Sequence, residues 1–283
     1  MNRLGFHCHD LGQLEMVITS NGLQRGEFYH FSPQNLPELK KEVGRRKLAA
    51  SIHAPLVKLP WYPSPPTISF LCDIDAEKRR LSLKMVQQTM EMAEDFGADY
   101  VVVHFPAPSS TDGSSLEYAR QREIAWQSAL DLAEVSEKHG IPIHMEGFGP
   151  SPFLNLDFLL EVSRNFPSLR YCFDTGHMHI AAQRDGFDLY ELADQLAPCI
   201  GSIHLWNNRD IDDYLFFGHI PVHPAQKPED GWVDIARILR LVLLRNHSCC
   251  VILESGFRYP EALGGYDFRE GVKWVKRLVA ELS

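Results

Sequence analysis

Eight short apolar runs, most of them ending in or beside a histidine, glutamate or aspartate, alternate along the whole chain with stretches of helical period. They are Arg3–His9, Gly26–Phe31, Leu48–His53, Tyr100–Phe105, Ile141–Glu146, Arg170–Asp174, Ile200–Trp206 and Cys249–Glu254. Several are almost continuously apolar, as in YVVVHF and CCVILE, which suits strands buried on both faces of a parallel sheet. The segments between them carry single apolar stripes: Leu83, Val86, Met90 and Ala93 in Glu77–Phe96, and Val272, Val275, Val279 and Leu282 in Phe268–Leu282. Eight such βα units in 283 residues predict a closed (β/α)8 TIM barrel of the α/β class, one domain over residues 1–283. An open doubly wound sheet usually has a Gly-rich turn after its first strand, and the sequence has neither GxGxxG nor a Walker loop. The Pro-rich stretch Leu59–Thr67 reads as a long loop after the third strand.

Acidic residues outnumber basic ones, 37 against 28, which argues against a protein whose main task is to coat nucleic acid or an anionic membrane. The six cysteines show no CxxC pair and no framework spacing, so they are expected to be reduced and mostly buried in a cytoplasmic protein. MNRLGFHCHD lacks the apolar stretch of a signal peptide, and no apolar run is long enough to span a bilayer. The expected partner is a small-molecule substrate. Membrane is excluded by this reading, nucleic acid is disfavoured, and homo-oligomer formation stays open.

In a barrel of this kind the chemistry sits at the C-terminal ends of the strands. Those positions hold His7 and His9, His53, His104, Glu146, Asp174 with His177 and His179 following, His204, and Glu254. Carboxylates brought together at one mouth would repel one another, and a divalent cation resolves the conflict. Three carboxylates with several imidazoles suit Zn²⁺ or Mn²⁺ better than Ca²⁺, which prefers all-oxygen cages. His144 alternates with Glu146 and is read as a supporting residue, whereas His30, His139 and His247 fall outside the pattern.

With these residues in order, the chain resembles the xylose-isomerase-like TIM-barrel superfamily. That superfamily holds sugar and sugar-phosphate isomerases and epimerases, some dehydratases, and the type-IV apurinic/apyrimidinic endonucleases. The resemblance covers nearly the whole chain. It is carried by His53, His104, Glu146, the Asp174-Thr-Gly-His177 element, His204, the His219-Ile-Pro stretch before Gly231-Trp232, and Glu254.

The resemblance to the epimerase branch implies one metal ion held by Glu146, Asp174, His204 and Glu254. It also implies that Glu146 and Glu254 are catalytic, exchanging a proton through a metal-bound enediolate, while His177 binds a substrate oxygen. Trp206, His219 and His7 are further substrate-facing candidates, with Asn208 and Phe217 beside them on a long Asn207–Trp232 loop expected to act as a partial lid.

The endonuclease branch implies a second ion on His53, His104 and a bridging Glu146, and a third on His177 and His219. The remaining ligand of that third site is Asp in the branch and Phe217 here, with Asp213 and His223 as nearby substitutes. Leu56 stands where that branch has a tyrosine, and Lys58, Arg79, Arg80, Arg209 and Lys227 read as solvated charges. The function expected is a metal-dependent isomerase or epimerase of a small sugar or keto-polyol. The alternatives are a metal-dependent phosphodiesterase, a related dehydratase, or a metal-binding barrel without catalysis.

Overall fold

A computed structural model describes residues 3–62, 67–106 and 115–282; positions 63–66 of the Pro-rich stretch lie outside them. The eight strands are β1 (Leu4–Cys8), β2 (Arg25–Phe28), β3 (Ala49–His53), β4 (Val101–His104), β5 (Ile143–Glu146), β6 (Leu169–Asp174), β7 (Ile200–Leu205) and β8 (Cys250–Leu253). They close into one barrel in chain order, with helices between the strands. Each strand begins and ends within two residues of the apolar run that predicted it, except that β2 ends at Phe28, three residues before the expected Phe31. The fold is therefore the (β/α)8 barrel.

The chain is built as two compact halves, one of Met1–Cys8, Gly12–Gly26 and Phe173–Ser283, the other of His9–Leu11 and Glu27–Cys172. In the first, β8 pairs in parallel with β7 through His204↔Ile252 and with β1 through Phe6↔Leu253. The helix Ile235–Leu243 buries Ile235, Ile238, Leu239, Val242 and Leu243. The helix Phe268–Glu281 buries Val272, Val275 and Val279, three of the four residues of the predicted stripe. Its Gly271 is required by space, since a Cβ there would lie 1.8 Å from the Val222 carbonyl oxygen.

In the second half, β4 runs beside β5 in register His104↔Glu146, and β3 beside β4 through His53↔Val102. Val101, Val102 and Val103 are fully buried, as a strand covered on both faces must be. The helix Ala76–Phe96 starts at Asp75, whose side chain accepts from the Glu77 N–H, and ends at Gly97 in the left-handed region.

Its inward stripe is Met85, Val86, Met90 and Ala93, which corrects the place expected for Leu83. Ser82 takes the inward position instead, because its hydroxyl accepts the Phe70 backbone N–H at 2.7 Å and bonds the Tyr62 hydroxyl at 2.9 Å. Leu83 is left half-buried in a groove with Leu71, Ile74 and Ile124.

All six cysteines are free thiols and all but Cys199 are buried. Among the described residues, no helix is long and apolar enough to cross a membrane.

Candidate metal centre

In the half Glu27–Cys172, the His104↔Glu146 register sets two polar residues level on neighbouring strands, where side chains meet across the strand spacing of about 4.8 Å. His104 Nε2 lies 3.4 Å from Glu146 Oε2, and His53 Nε2 lies 3.1 Å from the same oxygen. The three residues are buried, and each offers a ligand atom within 4.8 Å of the others.

His53 Nδ1 lies 3.1 Å from the Ala54 carbonyl oxygen and donates to it, while Nε2 faces Glu146. A buried imidazole nitrogen facing a carboxylate oxygen is bridged either by a proton or by a metal ion. His104 is held by an edge contact with His53 (4.8 Å between ring centres) and a stack on Phe148 (4.8 Å). Its Nδ1 is buried without a hydrogen-bond partner among the described residues.

In the half Phe173–Ser283, Asp174 ends β6, His204 stands in β7, and Glu254 follows β8. Their ligand atoms lie within 4.8 Å of one another. His204 Nδ1 is 2.6 Å from Glu254 Oε2, and His7 Nδ1 is 3.2 Å from Glu254 Oε1. Burial alone would raise the Glu254 carboxyl, but the neighbouring His204 and His7 outweigh it and hold it well below the usual carboxylate range.

Asp174 is also the N-cap of the helix Thr175–Asp185. One carboxylate oxygen accepts the His177 backbone N–H at 2.6 Å, and the other accepts the Trp206 indole N–H at 2.8 Å. Trp206 is fully buried and stacks on His219 with ring centres 4.2 Å apart, and His177 and Tyr214 complete an aromatic wall. His219 Nδ1 lies 3.0 Å from the Glu254 carbonyl oxygen and therefore donates to it.

Each half thus brings together three of the residue types that ligate Zn²⁺ or Mn²⁺: two imidazoles and a carboxylate in one, two carboxylates and an imidazole in the other. The donor sets fit such an ion.

Other expected residues are engaged elsewhere. Asp213 is clasped by Arg209 at 2.7 and 2.9 Å, and His223 stands 3.2 Å from Glu270 and stacks on Tyr266, so neither replaces a ligand at position 217. Phe217 ends the short helix Ile211–Phe217, partly exposed. Asn208 is buried, bonded to His179 and to the Gly176 carbonyl oxygen. His9 is exposed beside Asp10 and Tyr29, and His144 stacks on Tyr100 at 4.0 Å.

The Asn207–Trp232 segment is anchored, not loose: Asn207 N–H donates to the Ile220 carbonyl oxygen, and Ile220, Trp232 and Tyr259 share a small core. Arg79 binds the carbonyls of Asp73 and Ile74, and Arg80 pairs with Glu77, so both are committed locally. Sequence reasoning missed Tyr214 and Phe148. The signal for Tyr214 is its place on an Asp-capped helix five residues before His219.

Residues 8–278 match the family model described as the xylose isomerase-like TIM barrel. In fold the chain is similar to a D-tagatose 3-epimerase-like protein, at 16% identity over 99% of this chain and 98% of that one, with a TM-score of 0.73. It is similar to an L-ribulose 3-epimerase at 17% identity over 100% and 96%, TM-score 0.70. An IolI protein solved with a zinc atom matches at 18% identity over 99% and 97%, TM-score 0.65. No curated protein matches in sequence.

Proposed function

The chain belongs to the xylose isomerase-like TIM barrels, and on that premise we propose that it is a divalent-metal-dependent isomerase or epimerase acting on a small sugar or keto-polyol. The observation that carries this reading is the convergence of Asp174, His204 and Glu254, with ligand atoms within 4.8 Å of one another at the ends of β6, β7 and β8. Glu146 ends β5, the preceding strand of the barrel, and is the fourth ligand of this proposed site. Zn²⁺ or Mn²⁺ suits the donors, and the likeness in fold to a zinc-bound IolI protein supports an ion there. When bound, such an ion supplies Lewis acidity toward a substrate carbonyl.

The chain's own residues do the proton chemistry. Glu254 and Glu146 are the proposed base and acid at the carbon beside the carbonyl, one taking its proton and the other returning a proton to that carbon. Glu254 is suited to the first task because it is held ionised by its histidine neighbours. His177 and His219 bind substrate hydroxyls. His7 steadies the Glu254 carboxylate, and Trp206 with Tyr214 walls off water. Fold likeness to the D-tagatose 3-epimerase-like protein and to L-ribulose 3-epimerase supports ketoses as the substrate class.

The test is solvent exchange. Metal-loaded protein incubated in D2O with a panel of ketopentoses and ketohexoses is expected to place deuterium at the carbon beside the carbonyl and to form the epimer or isomer. Bound metal with no exchange in any ketose would overturn the reading.

The His53, His104 and Glu146 group favours a second reading, a metal-dependent phosphodiesterase resembling the type-IV endonucleases. Against it stand Phe217 and the commitment of Asp213 to Arg209. Chelator-sensitive cleavage of abasic-site DNA is the outcome that would promote it.

A further inference from the structure

We propose that Trp206 is a positioning residue for the metal site: its indole N–H fixes the Asp174 carboxylate, and Gly176 is glycine because the indole occupies the space of its side chain. The inference rests on the reading of Asp174 as a metal ligand.

Asp174 receives two donors of known direction, the His177 backbone N–H on Oδ1 at 2.6 Å and the Trp206 Nε1–H on Oδ2 at 2.8 Å. Two donors on different oxygens define the plane of the carboxylate, so both side-chain torsions are set before any ion arrives. Ligating carboxylates held in this way bind better because the ordering cost has already been met by folding.

The donor is itself immobilised. Trp206 is fully buried, stacked on His219 at 4.2 Å and 7°, and tied through its backbone to the residue after Asp174. The Thr175 hydroxyl lies 2.6 Å from the Trp206 carbonyl oxygen and 3.2 Å from that of His204. A Cβ on Gly176 would stand 2.2 Å from indole Cε2 and 2.3 Å from Cζ2, far inside contact distance. Asn208 closes the lock by donating to the Gly176 carbonyl oxygen at 3.1 Å. The Asp174-Thr175-Gly176-His177 and His204-Leu205-Trp206-Asn207-Asn208 segments are thus one interlocked unit.

The experiment titrates Zn²⁺ and Mn²⁺ by calorimetry into the metal-free wild type and the variants Trp206→Phe, Gly176→Ala and Asp174→Asn, with intrinsic fluorescence and thermal unfolding followed in parallel. Trp206→Phe keeps a ring against His219 and deletes the N–H. It is expected to weaken metal binding by about 10- to 100-fold. Gly176→Ala keeps the N–H but displaces it, and is expected to weaken binding in the same range. A Trp206→Phe protein that binds metal as the wild type does, with only its thermal midpoint lowered, assigns Trp206 to packing and overturns the inference. Should Trp206→Phe fail to fold, Gly176→Ala decides by the same criterion. If Asp174→Asn binds as the wild type does, or the wild type binds no metal, the reading of Asp174 itself fails, which is a separate result.

Discussion

His204 Nδ1 and Glu254 Oε2 lie 2.6 Å apart at the ends of the paired strands β7 and β8, yet Glu254 Oε2 is buried and accepts no well-directed hydrogen bond. His204 and Glu254 are among the residues that would hold a divalent ion, which would neutralise this close pair when bound. The parallel register sets Ile252 level with His204, and the Glu254 N–H bonds the Leu205 carbonyl oxygen, so Glu254 stands just beyond His204 and its side chain reaches back to the imidazole.

Glu254→Gln tests that arrangement with little change of shape. The amide keeps the volume and loses the charge that both His204 and His7 face. Bound metal, measured by mass spectrometry on dialysed protein, is expected to fall by about 10-fold or more. Deuterium exchange into substrate is expected to fall by at least about 100-fold. Full exchange in this variant would remove Glu254 from the proton chemistry.

His53→Ala and His104→Ala separate one ion from two. If the His53, His104 and Glu146 group holds an ion of its own, each variant lowers the metal content by one ion per chain and leaves the Asp174, His204 and Glu254 group loaded. A stoichiometry unchanged from that of the wild type assigns the two histidines to hydrogen bonding with Glu146.

The barrel was legible in the sequence because parallel strands covered on both faces appear as unbroken apolar runs, and Val101–Val103 and Val251–Leu253 are such runs. The ends of those runs also marked which polar residues stand at each strand terminus. What pattern alone does not carry is the partner chosen within a loop. Asp213 and His223 have the chemistry of ligands, but Arg209 lies four residues from one and Glu270 meets the other from a different helix. The Trp206 indole N–H bond to Asp174 is equally invisible in one dimension, since it joins residues 32 apart. Ser82 displaced Leu83 from the helix stripe for a similar reason, because the Phe70 N–H needed an acceptor.

Asn207→Ala is expected to loosen the segment that carries His219. The buried Asn207 side chain donates to Gln226 Oε1 and the Val233 carbonyl oxygen and accepts from the Asn208 and Val233 N–H groups. Deleting it orphans buried partners at about 1–3 kcal/mol each. Faster limited proteolysis within residues 208–231, with β-barrel unfolding little changed in cooperativity, is the expected result. Proteolysis at the wild-type rate would mean that Ile220, Trp232 and Tyr259 hold the segment without it.

Asp213→Asn gives a pH-dependent prediction whose sign is fixed by the structure. Burial would raise the Asp213 carboxyl, but the hydrogen bonds from the Arg209 side chain and backbone N–H outweigh it and hold it below its ordinary 3.8. A group whose pKa is depressed by folding contributes stability that is complete above the unfolded value and is lost as the pH falls through the folded value. The variant is therefore expected to unfold at lower urea near neutrality, by about 1–3 kcal/mol for a buried carboxylate replaced at a bidentate arginine. The gap between the two proteins is expected to close as the pH drops below about 3.8, where the unfolded carboxylate takes up its proton first and the wild type loses its advantage. Urea midpoints measured across this range decide it. A gap that persists at low pH would place the effect in the shape of the Asp210-capped helix and not in the charge of Asp213.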